Sequence, residues 1–190
     1  MLEDILQWDR DAFIYLNGLG IEKYDAFWSA ITNFYNWIPL FVLFIYLFFR
    51  KFPAKKALAA LGTLLFLVLF VTTLTDLTKE VVARLRPNNE EDINTLIRIV
   101  KSPTNFSFFS GHAASSFSIT TLVYLFLRQK VKWTWLFYIW PLLFAMSRVY
   151  VGVHYPIDIL VGAIVGVGTV VLTFLLYKRL IVPYLGLSHP

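Results

Sequence analysis

The sequence contains no cysteine and comparatively few charged residues. The lack of cysteine excludes disulfide bonds and thiolate-ligated metal sites. Charged residues make up 15% of the chain, whereas 58% of it is apolar and 18% is aromatic. A soluble domain of 190 residues could not bury that much apolar surface, but a lipid bilayer can accept it. No cleavable signal peptide is expected, because residues 1–11 are acidic where such a peptide is basic.

Long stretches without Asp, Glu, Lys or Arg predict an all-α, polytopic transmembrane helix bundle. A membrane-spanning helix needs about 20 apolar residues. The chain is therefore expected to form about five spanning helices, at residues 26–49, 57–75, 102–127, 133–147 and 159–177. The third stretch is expected to begin as a loop and to become helical near Ser110. No repeat or linker divides residues 1–190, so a single domain is expected.

The N-terminal segment is predicted to be an amphipathic helix that lies in the membrane interface. Residues 5–16 combine aromatic and aliphatic side chains with three consecutive charged ones, Asp9, Arg10 and Asp11. This mixture is typical of interfacial helices. A sixth membrane crossing is the alternative, but three consecutive charges in hydrocarbon would be costly.

The basic residues are separated from the acidic ones along the chain, and this separation predicts the orientation in the membrane. Three loops contain nine of the seventeen Lys and Arg residues and none of the twelve Asp and Glu residues. By the positive-inside rule, these loops are expected in the cytoplasm. The net charge of +5 is therefore attributed to membrane orientation and not to nucleic-acid binding. The nine residues are Arg50, Lys51, Lys55, Lys56, Arg128, Lys130, Lys132, Lys178 and Arg179.

Two cationic side chains at the outer end of the second predicted span could point in the same direction. Lys79 and Arg86 are seven residues apart, which is close to two helical turns, and Pro87 is expected to end the helix. Two cations that face one pocket repel each other unless an anion lies between them. The alternative is that both side chains anchor the helix at the membrane interface. Glu80 and Arg84 point elsewhere on this helix, where they are expected to be solvated or paired.

The tripeptide Ser110-Gly111-His112 opens the third apolar helix. Ser110 is a favourable N-cap, and Gly111 permits close approach of a ligand to the backbone. The free N–H groups of a helix start favour an anion, and His112 would lie beside it. The alternative is a capped helix with an incidental histidine.

A second histidine is predicted at the start of the last apolar helix. His154 and Asp158 are four residues apart, and Pro156 between them is well tolerated in a first helical turn. A carboxylate that accepts the Nδ1–H group of a histidine leaves the other nitrogen free as a nucleophile or base. The alternative is a polar helix start with a structurally satisfied histidine.

Taken together, these outer helix ends predict a phosphate site. The short fourth stretch places Arg148 at or just inside the outer interface, so three cations, a helix N-terminus and two histidines are expected on one side. Phosphoryl transfer needs charge clamps, an in-line nucleophile and an acid for the leaving oxygen.

These segments resemble the type 2 phosphatidic acid phosphatase superfamily, which includes the vanadium haloperoxidases. The family pattern is Lys, six residues and Arg-Pro; then Pro-Ser-Gly-His; then Ser-Arg, five residues, His, three residues and Asp. The first and third motifs match in full as KEVVARLRP (residues 79–87) and SRVYVGVHYPID (residues 147–158). In the second motif, Phe109 replaces the proline. The resemblance is close over residues 76–162.

The resemblance implies a role for each matched residue. His154 attacks phosphorus and forms a phosphohistidine, Asp158 orients it, and His112 protonates the leaving oxygen. The remaining matched residues would bind the phosphoryl oxygens, and no metal or other cofactor is expected. These phosphate-binding residues are Lys79, Arg86, Ser110, Gly111 and Arg148.

The predicted function is hydrolysis of a terminal phosphate from a lipid phosphate or diphosphate at the outer face of the cytoplasmic (inner) membrane. Undecaprenyl diphosphate is the favoured substrate, and phosphatidylglycerophosphate, phosphatidic acid and lipid A phosphates are the other candidates. The expected partners are the lipid substrate and the bilayer. The alternatives are a protein that binds or transports lipid phosphates without hydrolysis, and a haloperoxidase-like enzyme.

Overall fold

The computed structural model describes residues 1–186, and all of the regular structure in that part of the chain is helical. The α-helices there are α1 (Leu2–Gly18), α2 (Asp25–Ile31), α3 (Ile38–Lys51), α4 (Ala54–Val82), α5 (Gly111–Leu127), α6 (Ile139–Tyr150), α7 (Pro156–Leu176) and α8 (Val182–Tyr184). Four 3-10 helices are found at Glu22–Tyr24, Phe34–Trp37, Pro87–Asn89 and Thr134–Tyr138, and a π-helix at Tyr177–Ile181 joins α7 to α8. The predicted all-α fold is confirmed.

Three helical stretches are long and apolar enough to cross a membrane. They are Phe34–Lys51, Ala54–Asn89 and Pro156–Tyr184. Helix α5 is apolar but has 17 residues, and α6 has 12. The membrane-spanning character of the chain is therefore confirmed, while the count of five spans and the interfacial position of α1 stay predictions.

The first predicted span, at residues 26–49, is not one continuous helix. Helix α2 ends at Ile31, and a 3-10 turn intervenes before α3. Asn33 causes the break, because its side-chain oxygen accepts the Tyr35 backbone N–H at 3.1 Å. The break leaves Thr32 buried at a position where its hydroxyl contacts Arg148.

Helices α5 and α7 cross at very close range, and two glycines make this possible. A Cβ atom on Gly162 would lie 2.6 Å from the carbonyl oxygen of Ser110, and one on Gly166 would lie 2.4 Å from that of Ala114. Glycines four residues apart are a common device for bringing membrane helices together. The contact sets the position of the start of α5 against the start of α7.

The basic loops meet at one end of the bundle. Arg50 and Lys51 in the last turn of α3 line the same cavity as Lys130 and Lys132 from the α5–α6 loop. The Lys55 ammonium, at the start of α4, donates to the carbonyl of Leu185 at 2.7 Å. Helix α4 runs from this basic end to the opposite end, where Lys79 lies. The core between the two ends is largely aromatic and aliphatic, and includes Phe44, Leu67, Phe126, Trp140 and Phe144.

Candidate active site

The structure brings the predicted site residues together where α4 and α6 end and α5 and α7 begin. His112 and Arg148 line one cavity of about 590 Å³. The backbone N–H of Ser110 donates to the carbonyl of Asp158 at 2.9 Å, which joins the starts of α5 and α7. The charges of Lys79, Arg86 and Arg148 all act on both histidines. The eight predicted residues that meet here are Lys79, Arg86, Ser110, Gly111, His112, Arg148, His154 and Asp158.

His154 lies just before α7 and is oriented from both sides of its ring. Its Nδ1 atom lies 3.3 Å from Asp158 Oδ2, and its Nε2 atom lies 2.9 Å from Arg86 Nη1. Because a guanidinium can only donate, Nε2 must accept, and the ring proton is therefore assigned to Nδ1. The Asp158 carboxylate also accepts the Tyr155 N–H at 3.0 Å and so helps to cap α7. The start of α7 near Tyr155 is confirmed.

Arg86 lies at the site as predicted, but the backbone that carries it is not helical. Helix α4 ends at Val82, and Ala83 adopts a left-handed conformation with a φ of 50°. The prediction that the helix continues to Arg86 is therefore wrong. Arg86 is extended, as residues before a proline usually are. Its guanidinium is fixed by Asn105, with Nε donating to the backbone carbonyl at 2.8 Å and Nη2 donating to Oδ1 at 2.9 Å.

The Ser110-Gly111-His112 segment has the predicted helix-start geometry. Ser110 Oγ accepts the Ala113 N–H at 3.4 Å, which confirms the N-cap. A Cβ atom on Gly111 would lie 3.1 Å from a Thr75 methyl, so this glycine also serves the packing of α5 on α4. His112 stacks on Phe144 with ring centroids 4.7 Å apart. Phe109, which stands where the family has proline, is buried in the core.

Lys79, Arg86 and Arg148 form no ion pair in the described chain, and two of them, Lys79 and Arg148, also have few hydrogen bonds. Lys79 is 8% exposed, and within residues 1–186 its ammonium makes no hydrogen bond or ion pair. Arg148 is 6% exposed, its Nε has no hydrogen-bond partner there, and Nη1 contacts the Thr32 hydroxyl. Buried charges are costly unless they are paired, so this arrangement is suited to hold an anion.

Two residues at the site were missed by the sequence analysis as functional candidates. Arg84 donates to Asp158 Oδ1 and to Asp9 Oδ2, both at 2.8 Å. Asp9 belongs to α1 and is completely buried. From the sequence, Asp9 is expected on an interfacial helix and Arg84 is expected to be solvated or paired. The structure shows that Arg84 is paired. No local pattern links two residues 75 positions apart.

The electrostatic surroundings keep His154 uncharged. Burial is the largest effect and, together with the charges of Arg86 and Arg148, it holds the pKa of His154 well below 6.5. The same two effects, burial and Arg148, lower the pKa of Lys101 at the rim of the cavity. A neutral imidazole next to several cations is available as a nucleophile.

The carboxylates near the site are engaged with Arg84 and do not form a metal-binding group. Among residues 1–186, no three His, Asp or Glu side chains are arranged to hold a metal ion.

Comparison with known proteins identifies the family. The model of the PAP2 superfamily matches residues 57–181. The chain belongs to the PAP2 superfamily. It is 32% identical to a lipid A 4'-phosphatase of Porphyromonas gingivalis, with 100% of this chain and 81% of that protein covered. A lipid A 4'-phosphatase of Bacteroides thetaiotaomicron is 30% identical over 87% of this chain and 75% of its own length.

Two further proteins are similar as well. An undecaprenyl-diphosphatase of Sulfolobus acidocaldarius is 33% identical over 80% of this chain and 66% of its own length. The crystal structure of a PAP2-type phosphatidylglycerolphosphate phosphatase from Bacillus subtilis superposes with a TM-score of 0.72 at 21% identity, and covers 93% of this chain and 88% of that one. The chain is thus a membrane phosphatase, a phosphoric ester hydrolase of the PAP2 superfamily.

Proposed function

We propose that this protein removes a terminal phosphate from a membrane lipid through a phosphohistidine on His154, without a metal ion. The observation that carries the proposal is the position of His154, whose Nε2 atom lies 2.9 Å from Arg86 Nη1 and near the buried Lys79 and Arg148, which have no anionic partner within residues 1–186. A phosphoryl group in that position would contact the nucleophile and the cations at once.

The charge balance of the site matches a phosphate monoester. Three buried cations (Lys79, Arg86 and Arg148) and the partly exposed Arg84 lie near two buried carboxylates, Asp9 and Asp158, which leaves a formal net charge of 4 − 2 = +2. A phosphate monoester carries about −1.5 to −2 near pH 7. The bound substrate would therefore neutralise the cluster, and the product phosphate would be held by the same groups.

The reaction follows in two balanced steps. In the first, the negative charge of the bound phosphoryl group favours the protonated form of His112. His154 Nε2 then forms a bond to phosphorus while the bond from phosphorus to the lipid oxygen breaks, and the protonated His112 donates its extra proton to that oxygen. In the second, His112 accepts a proton from water, the water oxygen attacks phosphorus, and the phosphorus–nitrogen bond breaks to release inorganic phosphate. Asp158 keeps the proton on Nδ1 and stabilises the positive charge that develops on the ring.

The phosphoryl clamp consists of Lys79, Arg86 and Arg148, with Ser110 and the Gly111 backbone N–H at the start of α5. Charge-assisted donors of this kind stabilise the negative oxygens of the transition state. His112 is suited to its role because, within residues 1–186, neither ring nitrogen forms a hydrogen bond, and it lines the open cavity.

We further propose that residues 1–190 form one domain with five spans in the cytoplasmic membrane and with the site at the outer face. Helix α5 rises about 26 Å, close to the hydrocarbon thickness of about 30 Å. Helix α6 rises about 18 Å, and the 3-10 helix before it adds about 10 Å. The basic loops at the opposite end support this orientation by the positive-inside rule.

The best-supported substrate is a lipid A phosphate. The two lipid A 4'-phosphatases align with 87% and 100% of the chain, whereas the undecaprenyl-diphosphatase aligns with 80%. Undecaprenyl diphosphate, favoured on the sequence alone, is the first rival.

A phosphate-release panel on purified protein in detergent tests the proposal. Lipid A, undecaprenyl diphosphate, phosphatidylglycerophosphate and phosphatidic acid are compared with EDTA present, and His154→Ala serves as the blank. We expect release that is fastest on lipid A, unaffected by chelator and absent in the variant. Binding of lipid phosphate by both proteins, with no release by either, would instead indicate a binding or transport protein. Loss of activity with EDTA would refute the metal-free mechanism.

A further inference from the structure

A chain of charged side chains, with buried carboxylates at both ends, leads from the N-terminal helix to His154. Asp9 in α1 accepts from Arg84, Arg84 donates to Asp158, and Asp158 Oδ2 lies 3.3 Å from His154 Nδ1. Asp9 and Asp158 are both completely buried. Asp9 lies outside residues 57–181, the part of the chain that matches the family model.

Both terminal nitrogens of the Arg84 guanidinium are bound to carboxylates of this chain. Its Nη1 and Nη2 atoms each reach one carboxylate at 2.8 Å, and its guanidinium carbon lies 3.9 Å from the centroid of the Tyr155 ring. The planar fork of arginine suits such a bridge between two carboxylates, whereas a lysine ammonium does not. Arg84 is therefore turned away from the phosphoryl group, unlike Arg86, whose Nη1 atom meets the nucleophilic nitrogen.

Asp9 has a second contact that ties α1 to the catalytic helix. Its Oδ1 atom accepts the backbone N–H of Ile157 at 2.9 Å. That N–H belongs to the first turn of α7, where backbone donors have no partner within the helix. Asp9 thus holds both the start of α7 and, through Arg84, the carboxylate that faces His154.

We infer that Asp9 and Arg84 are positioning residues for the His154–Asp158 pair, so that α1 forms part of the catalytic apparatus. Without Arg84, Asp158 would lose the guanidinium that pairs with its Oδ1 atom, and the carboxylate would be free to turn away from Nδ1. The nucleophile would then lose the group that fixes its orientation and its tautomer. This inference rests on the proposed role of His154 as nucleophile.

The test compares kcat and KM for Asp9→Asn, Arg84→Lys and Arg84→Gln on the substrate that the release panel selects. The matched control is Asn17→Ala. Asn17 is also buried in α1 and anchors it, donating to the carbonyls of Arg98 and Val149 at 3.1 and 3.0 Å, but it does not contact the Asp9–Arg84–Asp158 chain. Thermal unfolding in detergent and the folded fraction are measured for each variant.

We expect Asp9→Asn and Arg84→Lys to lower kcat of the folded enzyme by roughly 10- to 100-fold with KM nearly unchanged, because a misplaced nucleophile slows the chemical step. Asn17→Ala should lower thermal stability and leave kcat of the folded enzyme unchanged. The double variant of Asp9→Asn with Arg84→Gln should lose no more than Arg84→Gln alone, because both changes break one chain.

The inference is overturned if Asp9→Asn keeps the wild-type kcat, or if its kcat loss is no larger than that of Asn17→Ala. The experiment distinguishes failure of the proposed function from failure of the positioning role. An active His154→Ala variant would contradict the proposed function itself. An inactive His154→Ala variant together with a fully active Asp9→Asn variant would contradict the positioning role alone.

Discussion

The crossing of α5 and α7 provides a sharp test, because one methyl group at Gly162 should move the two halves of the active site apart. The Cβ atom of Gly162→Ala would lie 2.6 Å from the Ser110 carbonyl oxygen. Comfortable carbon–oxygen contacts are about 3.3 Å, so the helix starts must separate by roughly 0.7 Å. The Ser110 N–H donates to the Asp158 carbonyl at 2.9 Å, which joins the starts of α5 and α7. Separation of these helix starts would therefore increase the distance between His112 and His154.

The expected magnitudes follow from this displacement. Overpacking of a tight contact costs about 1–3 kcal/mol of stability, and a shift approaching 1 Å in a reacting group can cost about 100-fold in rate. Gly168→Ala is the matched control, because it lies on the same helix and its Cβ atom would meet nothing within 4 Å. Both changes gain the same helix propensity, so their difference isolates the clash. Phosphate release and thermal unfolding in detergent measure the two effects. Equal kcat for the two variants would refute the claim that this crossing sets the geometry of the site.

Three further predictions concern single contacts. Thr32→Val removes the hydroxyl that contacts Arg148 and should lower kcat/KM several-fold, about 1 kcal/mol, in a phosphate-release assay. Asn105→Ala frees the Arg86 guanidinium and should lower kcat/KM by roughly tenfold or more in the same assay; unchanged kinetics would contradict the role given to Arg86. Because the pKa of folded His154 is well below 6.5, the unfolded chain binds a proton there that the folded chain does not. The His154 contribution to the free energy of unfolding should therefore fall as pH drops below about 6.5, and a denaturant titration of His154→Gln should show a weaker pH dependence than wild type.

The residues that the structure gathers at the candidate active site could be predicted from the sequence. Their spacing within three motifs is local, and each motif lies at a helix end that hydropathy and capping rules can locate. Ser110 as an N-cap and Pro156 in the first turn of α7 are examples, since both depend only on neighbouring residues. Segregation of basic residues likewise predicted which loops meet at the other end of the bundle.

Features that depend on tertiary contacts were not predictable in this way. Helix α4 ends at Val82 through a left-handed alanine, and neither glycine nor proline marks that position. The break after Ile31 depends on the Asn33 side chain within a mostly apolar stretch. The burial of Asp9 is the clearest case, because a charged residue on an amphipathic helix is expected to face water. Its burial is compensated by two distant partners, Arg84 and the backbone N–H of Ile157, which lie 75 and 148 residues away in sequence.

The central claim is that His154 carries the phosphoryl group during turnover. Rapid acid-free quenching of the enzyme with its lipid substrate, followed by peptide mass spectrometry, measures this most directly. The account predicts a transient phosphorylated peptide that contains His154, which forms and decays at rates compatible with kcat and is absent from His154→Ala. Full turnover with no phosphorylated His154 at any time point, or with phosphate on another residue, would contradict it.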